Sequence, residues 1–268
     1  MNAEPLFTPV ESDPGTYTPS VHTRGPWDPG AMHGGAPSAL LANALQELAG
    51  DMSVARMTFE FLGPVPIEPV TVEVSVLKPG TRFQLLEGRM SAGGRDVVLV
   101  RAVALMHGDV ALPDDARWAS TPPPRPASGT PKAFPSPPGG PREGMHLTGM
   151  DIRWLDGSVA ELGPGSGWFR LAHPLLAGAD ASPIARVCAA ADFGNGASRV
   201  LDFNTHLFIN TDLSISLVRP PRGEWVMLDA VTRIDPSGVG WASSTIFDEE
   251  GPIGFSQQTL FVSERTAG

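Results

Sequence analysis

The stretch 28-DPGAMHGGAPSALLANAL-45 decides how the rest of the chain is read. It sets one histidine against two glycines and then runs at once into an Ala/Leu segment too apolar to face water. Pro37 stands at a helix-start position and Gly50 at the stop, so 37-PSALLANALQEL-48 reads as a helix that must be covered on most sides. A glycine pair ahead of such a helix can cradle a phosphate, let a backbone pass close to a strand or ligand, or simply make a turn. His33 is open to two readings, chemistry or bracing of the turn before Pro37.

Strand patterns follow the helix. 56-RMTFEFL-62 puts Met57, Phe59 and Phe61 on one face, and 68-EPVTVEVSVL-77 does the same with Val70, Val72, Val74 and Val76. The segments 82–91 and 95–106 complete four strands, with Gly93-Gly94 as the turn between the last two. The order then recurs: a second apolar helix, 183-PIARVCAAADF-193, precedes strands over 212–218, 224–234, 238–247 and 252–262. A constant shift of 156 lays Phe59 on Ile215, Pro64 on Pro220, Glu68 on Glu224, Val72 on Leu228 and Leu105 on Phe261. A one-residue slip would invert every side chain, so a register held across four strands reads as an internal duplication. Helix followed by antiparallel strands, twice, is an α+β pattern.

Between the repeats, residues 112–143 hold ten of the 28 prolines and almost no periodic apolar pattern. Proline removes backbone donors, so this segment is expected not to pair in a sheet and to act as an extended linker. The expected organisation is therefore an N-terminal unit over 1–111, the linker over 112–143 and a C-terminal unit over 144–268.

Composition narrows the function classes. With 41% apolar residues among 268 the chain can bury a sizeable core. Nineteen basic against 29 acidic side chains, net charge −10 and no Lys/Arg cluster argue against a nucleic-acid partner and against an anionic membrane surface. No apolar run approaches the roughly 20 residues of a membrane span, and the N-terminus has no signal-peptide pattern, so a cytoplasmic location is expected. The single cysteine, Cys188, sits in an apolar run and reads as a buried small thiol. His173 and Ser166 fit neither metal spacing nor a nucleophile elbow, and no metal site is expected.

A hydrophobic helix wrapped by a curled antiparallel sheet, duplicated, with a glycine pair at the helix entrance, resembles the double hotdog of the TesB-type (type II) acyl-CoA thioesterases. The likeness rests on 33-HGGAPSALLANAL-45, 70-VTVEVSVLKPGTRF-83, 190-AADF-193 and 246-IFDEEGPIGFSQQTLFV-262. It implies hydrolysis of acyl-CoA by a water that an Asp/Thr/Gln group orients, with no metal or organic cofactor. By the resemblance the aspartate is Asp212, seven residues before Arg219-Pro220, and the glutamine is Gln258. Thr232 is the nearest hydroxyl, although counting from Glu224-Trp225 puts Arg233 at that place. His33, Gly34 and Gly35 are substrate-binding candidates, because a His-Gly-Gly at the helix entrance helps place a thioester carbonyl in related single-unit enzymes. Arg24, Arg199 and Arg219 are candidates for the CoA phosphates, and a homodimer is expected.

The chemistry is coherent: a carboxylate can act as general base, worth ~10²–10⁴ in rate, a glutamine both donates and accepts, and N–H groups at a buried helix N-terminus can meet an oxyanion. Two other functions share the scaffold. One is a non-catalytic binder of acyl or other lipophilic ligands. The other is an enoyl-thioester hydratase or dehydratase, which needs an Asp/His pair.

Overall fold

A computed structural model describes residues 3–116, 118, 121–132, 134, 141–158 and 160–265. In the first half β1 (Phe7–Pro9), β2 (Thr16–Pro19), α1 (Gly35–Ala49), β3 (Ser53–Phe61), β4 (Val70–Lys78), β5 (Phe83–Ala92) and β6 (Arg95–Leu105) follow in order. Then come β7 (Thr130–Pro131), β8 (Met150–Asp156), β9 (Gly165–Leu171), α2 (Pro183–Ala191), α3 (Gly194–Ala197), β10 (His206–Asn210), β11 (Asp212–Leu217), β12 (Val226–Asp235), β13 (Val239–Asp248) and β14 (Gly251–Glu264). One continuous sheet runs β1-β2-β4-β5-β6-β3-β11-β14-β13-β12-β9-β8-β7, with β10 also paired to β14.

The two halves meet at β3 and β11, which pair antiparallel with Thr58 opposite Ser214. These residues are 156 apart, and Ser214 Oγ donates to Thr58 Oγ1 at 3.4 Å. An element that faces its own repeat equivalent at the joint lies on a two-fold axis, so the register shift read from the sequence is the symmetry of the fold. β5 at 83–92 and β13 at 239–248 correspond residue for residue at the same shift.

Helix α1 packs against β3, β4, β5 and β6, and α2 packs on α1 at the centre of the molecule. Ala36, Ala39, Leu40, Leu41 and Leu45 are all buried, each large side chain contributing ~1.5–3 kcal/mol by leaving water. Gly50, at φ +61°, ends the helix in a conformation that a side chain would resist. The second half departs from the first in its helix. α2 and α3 together occupy 183–197, as long as α1, but the helix breaks at Asp192–Phe193, and Gly35 corresponds to Pro183 at a shift of 148 rather than 156. The extra residues before β10 make a loop that the first half lacks.

The structure corrects one sequence expectation. The proline-rich segment does enter the sheet: Thr130 and Pro131 pair with Trp154 and Arg153 at its outer edge, where a missing N–H costs nothing on the open side. It is also held to the body by Trp168 Nε1–H, which donates to the Pro124 carbonyl at 2.8 Å, and by Trp154 Nε1–H, which donates to the Lys132 carbonyl at 2.9 Å. In addition, 150–156 and 165–171 are strands, although glycine and charge break their apolar alternation. Among the described residues no helix is long and apolar enough to cross a membrane.

Candidate active site

Asp192 ends the apolar run of α2, and the break between α2 and α3 turns its carboxylate inward, leaving the side chain only 4% exposed. A buried carboxylate must be satisfied by donors. Three converge on it: Asn210 Nδ2–H at 2.6 Å and Gln258 Nε2–H at 3.2 Å reach Oδ1, and His33 Nδ1 lies 2.8 Å from Oδ2. Asn210 closes β10, Gln258 faces inward from β14, and His33 comes from the other half, at the entrance of α1.

The Gly35 N–H also approaches His33 Nδ1, at 3.1 Å. One nitrogen cannot donate to the carboxylate and accept from an amide at once. The shorter contact, to a carboxylate oxygen that can only accept unless it is itself protonated, favours the arrangement in which Nδ1–H donates to Asp192 and Nε2 is turned away from it. The His33 ring stacks on Phe193 at 4.2 Å between centroids, which fixes its plane.

The glycines are required by space. A Cβ on Gly34 would lie 2.9 Å from Asp192 Oδ2 and 3.0 Å from Phe61 Cζ, and one on Gly35 would lie 2.6 Å from the Ala189 carbonyl oxygen. The pair therefore lets the start of α1 touch both the carboxylate and the backbone of α2. No acceptor for the Gly34 N–H is found among the described residues.

His33, Gly34, Asp192 and Asn210 form one wall of a cavity of about 380 Å³ between the two halves. Aromatic rings make up much of the remainder, including Trp27, Phe61, Phe134, Phe203 and Phe208. Trp27 meets Phe208 edge to face at 5.0 Å and Phe203 at 5.2 Å. The Arg265 and Arg199 guanidinium groups lie over the rings of Trp27 and Phe203, at 5.6 and 5.1 Å. His146, from a π-helical turn at 145–149, also lines the cavity. Burial, and then the nearby His33, push its pKa down to about 4 against the raising effect of the Arg24 backbone, so its ring is neutral near pH 7.

Of the residues expected from the sequence, the structure brings His33, Gly34, Gly35 and Gln258 together around Asp192, with His33 and Gly34 on the cavity wall, and leaves two elsewhere. Asp212 does not reach Gln258. Leu213 and Ile215 take the buried face of β11, so alternation turns Asp212 outward, where its Oδ1 accepts from the Thr259 N–H at 2.6 Å. Thr232 is buried, but its hydroxyl is hydrogen-bonded to Ser198 Oγ at 2.8 Å, under α3 and outside the cavity lining. The cluster spans both halves, His33 and the glycines coming from the first and Asp192, Asn210 and Gln258 from the second. Asp192 and Asn210 were missed. A single acid closing an otherwise apolar helix was a signal for Asp192, whereas nothing in the sequence around Asn210 set it apart.

The remaining candidates are accounted for locally. Arg219 forms a two-pronged pair with Asp248, both contacts 2.6 Å, away from the cavity. His173 stacks on His22 at 3.8 Å, Ser166 lies within β9, and Cys188 is fully buried with its thiol pKa pushed up by that burial. Among the described residues no group of three or more His, Cys, Asp or Glu is placed to hold a metal ion.

Comparison with known proteins places this geometry. The model of the acyl-CoA thioesterase N-terminal domain matches residues 23–107, and that of the acyl-CoA thioesterase C-terminal domain matches residues 113–262. A search of curated proteins found no match. Among solved structures, a candidate thioesterase from Novosphingobium aromaticivorans superposes with a TM-score of 0.73 at 22% identity, covering 97% of this chain and 99% of that one. A hotdog-fold protein of unknown function from Alicyclobacillus acidocaldarius gives 0.70 at 14% identity, with 96% and 95% covered. The acyl-CoA thioesterase II TesB2 of Mycobacterium marinum gives 0.63 at 16%, with 100% and 96% covered. At these identities the likeness speaks for the fold, a double hotdog. With both domain models matched in order along one chain, this protein belongs to the acyl-CoA thioesterase family.

Proposed function

We propose that the protein hydrolyses acyl-CoA thioesters, using a water activated by the His33–Asp192 pair at the wall of the aromatic cavity. The observation that supports this best is the buried Asp192 carboxylate, held by donors from both halves beside an apolar cavity. Asp192 keeps the proton on His33 Nδ1, and Nε2 takes a proton from water as the oxygen attacks the thioester carbon. The resulting oxyanion meets the Gly34 N–H at the positive end of α1. Collapse expels the CoA thiolate, which takes the proton back from Nε2. Asn210 and Gln258 hold the carboxylate, so the Asp/Thr/Gln group of the resemblance becomes Asp192, Asn210 and Gln258 here. Arg199 and Arg265 beside Phe203 and Trp27 are suited to the CoA phosphates.

A second reading has an observation in its favour. Hydration or dehydration of an enoyl or hydroxyacyl thioester needs an Asp/His pair, and His33 with Asp192 is one. The test is a panel of saturated acyl-CoAs followed by thiol release beside enoyl-CoAs followed by loss of enoyl absorbance, with wild type, Asp192→Asn and His33→Ala. Thiol release lost in both variants supports the hydrolase. Enoyl turnover without thiol release moves the site to the second reading, and saturable binding without either reaction leaves a non-catalytic acyl binder.

A further inference from the structure

Part of the cavity lining is exposed and part is buried, which gives the cavity a direction. Leu62 and Phe261 are 55% and 54% exposed, and Pro26, Asp28 and Pro64 also lie on the surface, so these residues mark the mouth. Phe134 is only 9% exposed and belongs to the buried end. Its N–H donates to the His146 carbonyl at 3.4 Å. Its ring meets His146 edge to face at 6.0 Å and packs on Phe193 at 5.8 Å and Trp154 at 6.1 Å. Trp154 is not part of the lining and stands behind the ring, fixed by its bond to the Lys132 carbonyl. Gly196 leaves the ring its room, because a Cβ there would lie 3.4 Å from two carbons of Phe134. A ring braced by so many neighbours has no free space to swing into.

We infer that Phe134 is the end stop of the acyl pocket and sets the longest acyl chain that the cavity holds. This rests on the reading of the cavity as an acyl-CoA site and names the residue that measures the chain. The phosphates of CoA cannot be buried without a large desolvation cost, so that part of the substrate stays at the exposed rim. The apolar acyl chain is drawn the other way, each buried methylene being worth about fourfold in affinity. The distance it can run is short. Phe193 stacks on His33 at 4.2 Å and lies 5.8 Å from Phe134, so the His33 and Phe134 ring centres are no more than about 10 Å apart. A straight chain that starts beside His33 meets Phe134 within about eight carbons, at ~1.2 Å for each bond of an extended chain. Longer chains must fold back towards the mouth and gain nothing from the added methylenes.

S-alkyl-CoA thioethers, from butyl to dodecyl, test this without any turnover, since they cannot be hydrolysed. They are titrated calorimetrically into wild type, Phe134→Ala, Phe134→Leu and Thr232→Val. In wild type the affinity should climb about fourfold per methylene and level off by about eight carbons. In Phe134→Ala the climb should continue for about two carbons more, so that the decyl ligand gains about tenfold or more over the octyl one. Phe134→Leu, which keeps the wall filled should the alanine variant not fold, should delay the break by about one carbon. Thr232→Val loses a buried hydrogen bond outside the lining and should melt lower with the wild-type break unchanged. An affinity that climbs without a break in wild type, a break that stays in place in both Phe134 variants, an equal shift in Thr232→Val, or no binding of any thioether overturns the inference. Thiol release from acyl-CoAs is scored separately, and its absence would remove the proposed hydrolysis without moving the break.

Discussion

Replacing Asp192 by asparagine keeps the shape of the side chain and changes what its second atom can do. The two donors on Oδ1, from Asn210 at 2.6 Å and Gln258 at 3.2 Å, require an oxygen there, so the new amide nitrogen must face His33. An N–H pointing at Nδ1 forces the proton from Nδ1 to Nε2. The Gly35 N–H, already 3.1 Å from Nδ1, accommodates the exchange. His33 then presents N–H where a base is needed. Losing the base removes ~10²–10⁴ in rate, which at 1.36 kcal/mol per decade is about 3–5 kcal/mol of transition-state stabilisation. Charge-assisted hydrogen bonds become neutral ones, costing about 1–2 kcal/mol of stability, or a fall in Tm of a few degrees for a chain of this size. The assay is kcat/KM for acyl-CoA hydrolysis by thiol release, with a melting curve on the same sample. A folded variant with activity within threefold of wild type would refute the assignment of His33–Asp192 as the base.

Other substitutions probe the frame. Gly35→Ala gains ~1 kcal/mol of helix propensity but forces a Cβ to within 2.6 Å of the Ala189 carbonyl oxygen. Overpacking against backbone costs ~1–3 kcal/mol, so melting should show a net loss, and kcat should fall as His33 is carried off Asp192; an unchanged or raised Tm contradicts the close approach. Asp212→Asn and Thr232→Val should leave kcat/KM within about threefold, with Thr232→Val losing ~1 kcal/mol for its buried hydrogen bond; a hundredfold loss of activity in Asp212→Asn would return that residue to the site. The Asp248 pKa is lowered: burial alone would raise it, but hydrogen bonds from Arg219, Glu250 and Arg222 outweigh that effect. A lowered carboxylate stabilises the fold above the ordinary carboxylate pKa and ceases to do so as pH falls through its own value. Asp248→Asn should therefore destabilise by about 3 kcal/mol at pH 7 and by much less in strong acid, and a difference from wild type that stays constant with pH in denaturant titrations would contradict it.

The duplication did not preserve two sites. At the shifts that relate the halves, Gln258 corresponds to Ala102, and Asp192 to Ala44 in the unbroken middle of α1. Where His33 stands in the first half, the entrance of α2 has Ala181, and the Ser182 N–H is held by Asn43 Oδ1 at 2.9 Å. The groups of the proposed site are thus divided between the halves. The first half gives the histidine and glycines, and the second gives the acid and amides.

The sequence by itself determined the apolar helices, the eight long strands, their repeat at a shift of 156 and the tight glycine pair at 34–35. These are encoded locally, by side-chain period and by glycines where a Cβ has no room. It did not determine which acid meets Gln258. Spacing along β11 favoured Asp212, yet alternation at Leu213 and Ile215 turns that residue out of the core. Nor did it show that a proline-rich segment, through Phe134, helps to wall the cavity. The meeting of His33 with Asp192 depends on how α1 packs on α2 and on the break that ends α2. Neither has a periodic signature, because both are set by contacts between residues far apart in the chain, and only the tertiary structure decided them.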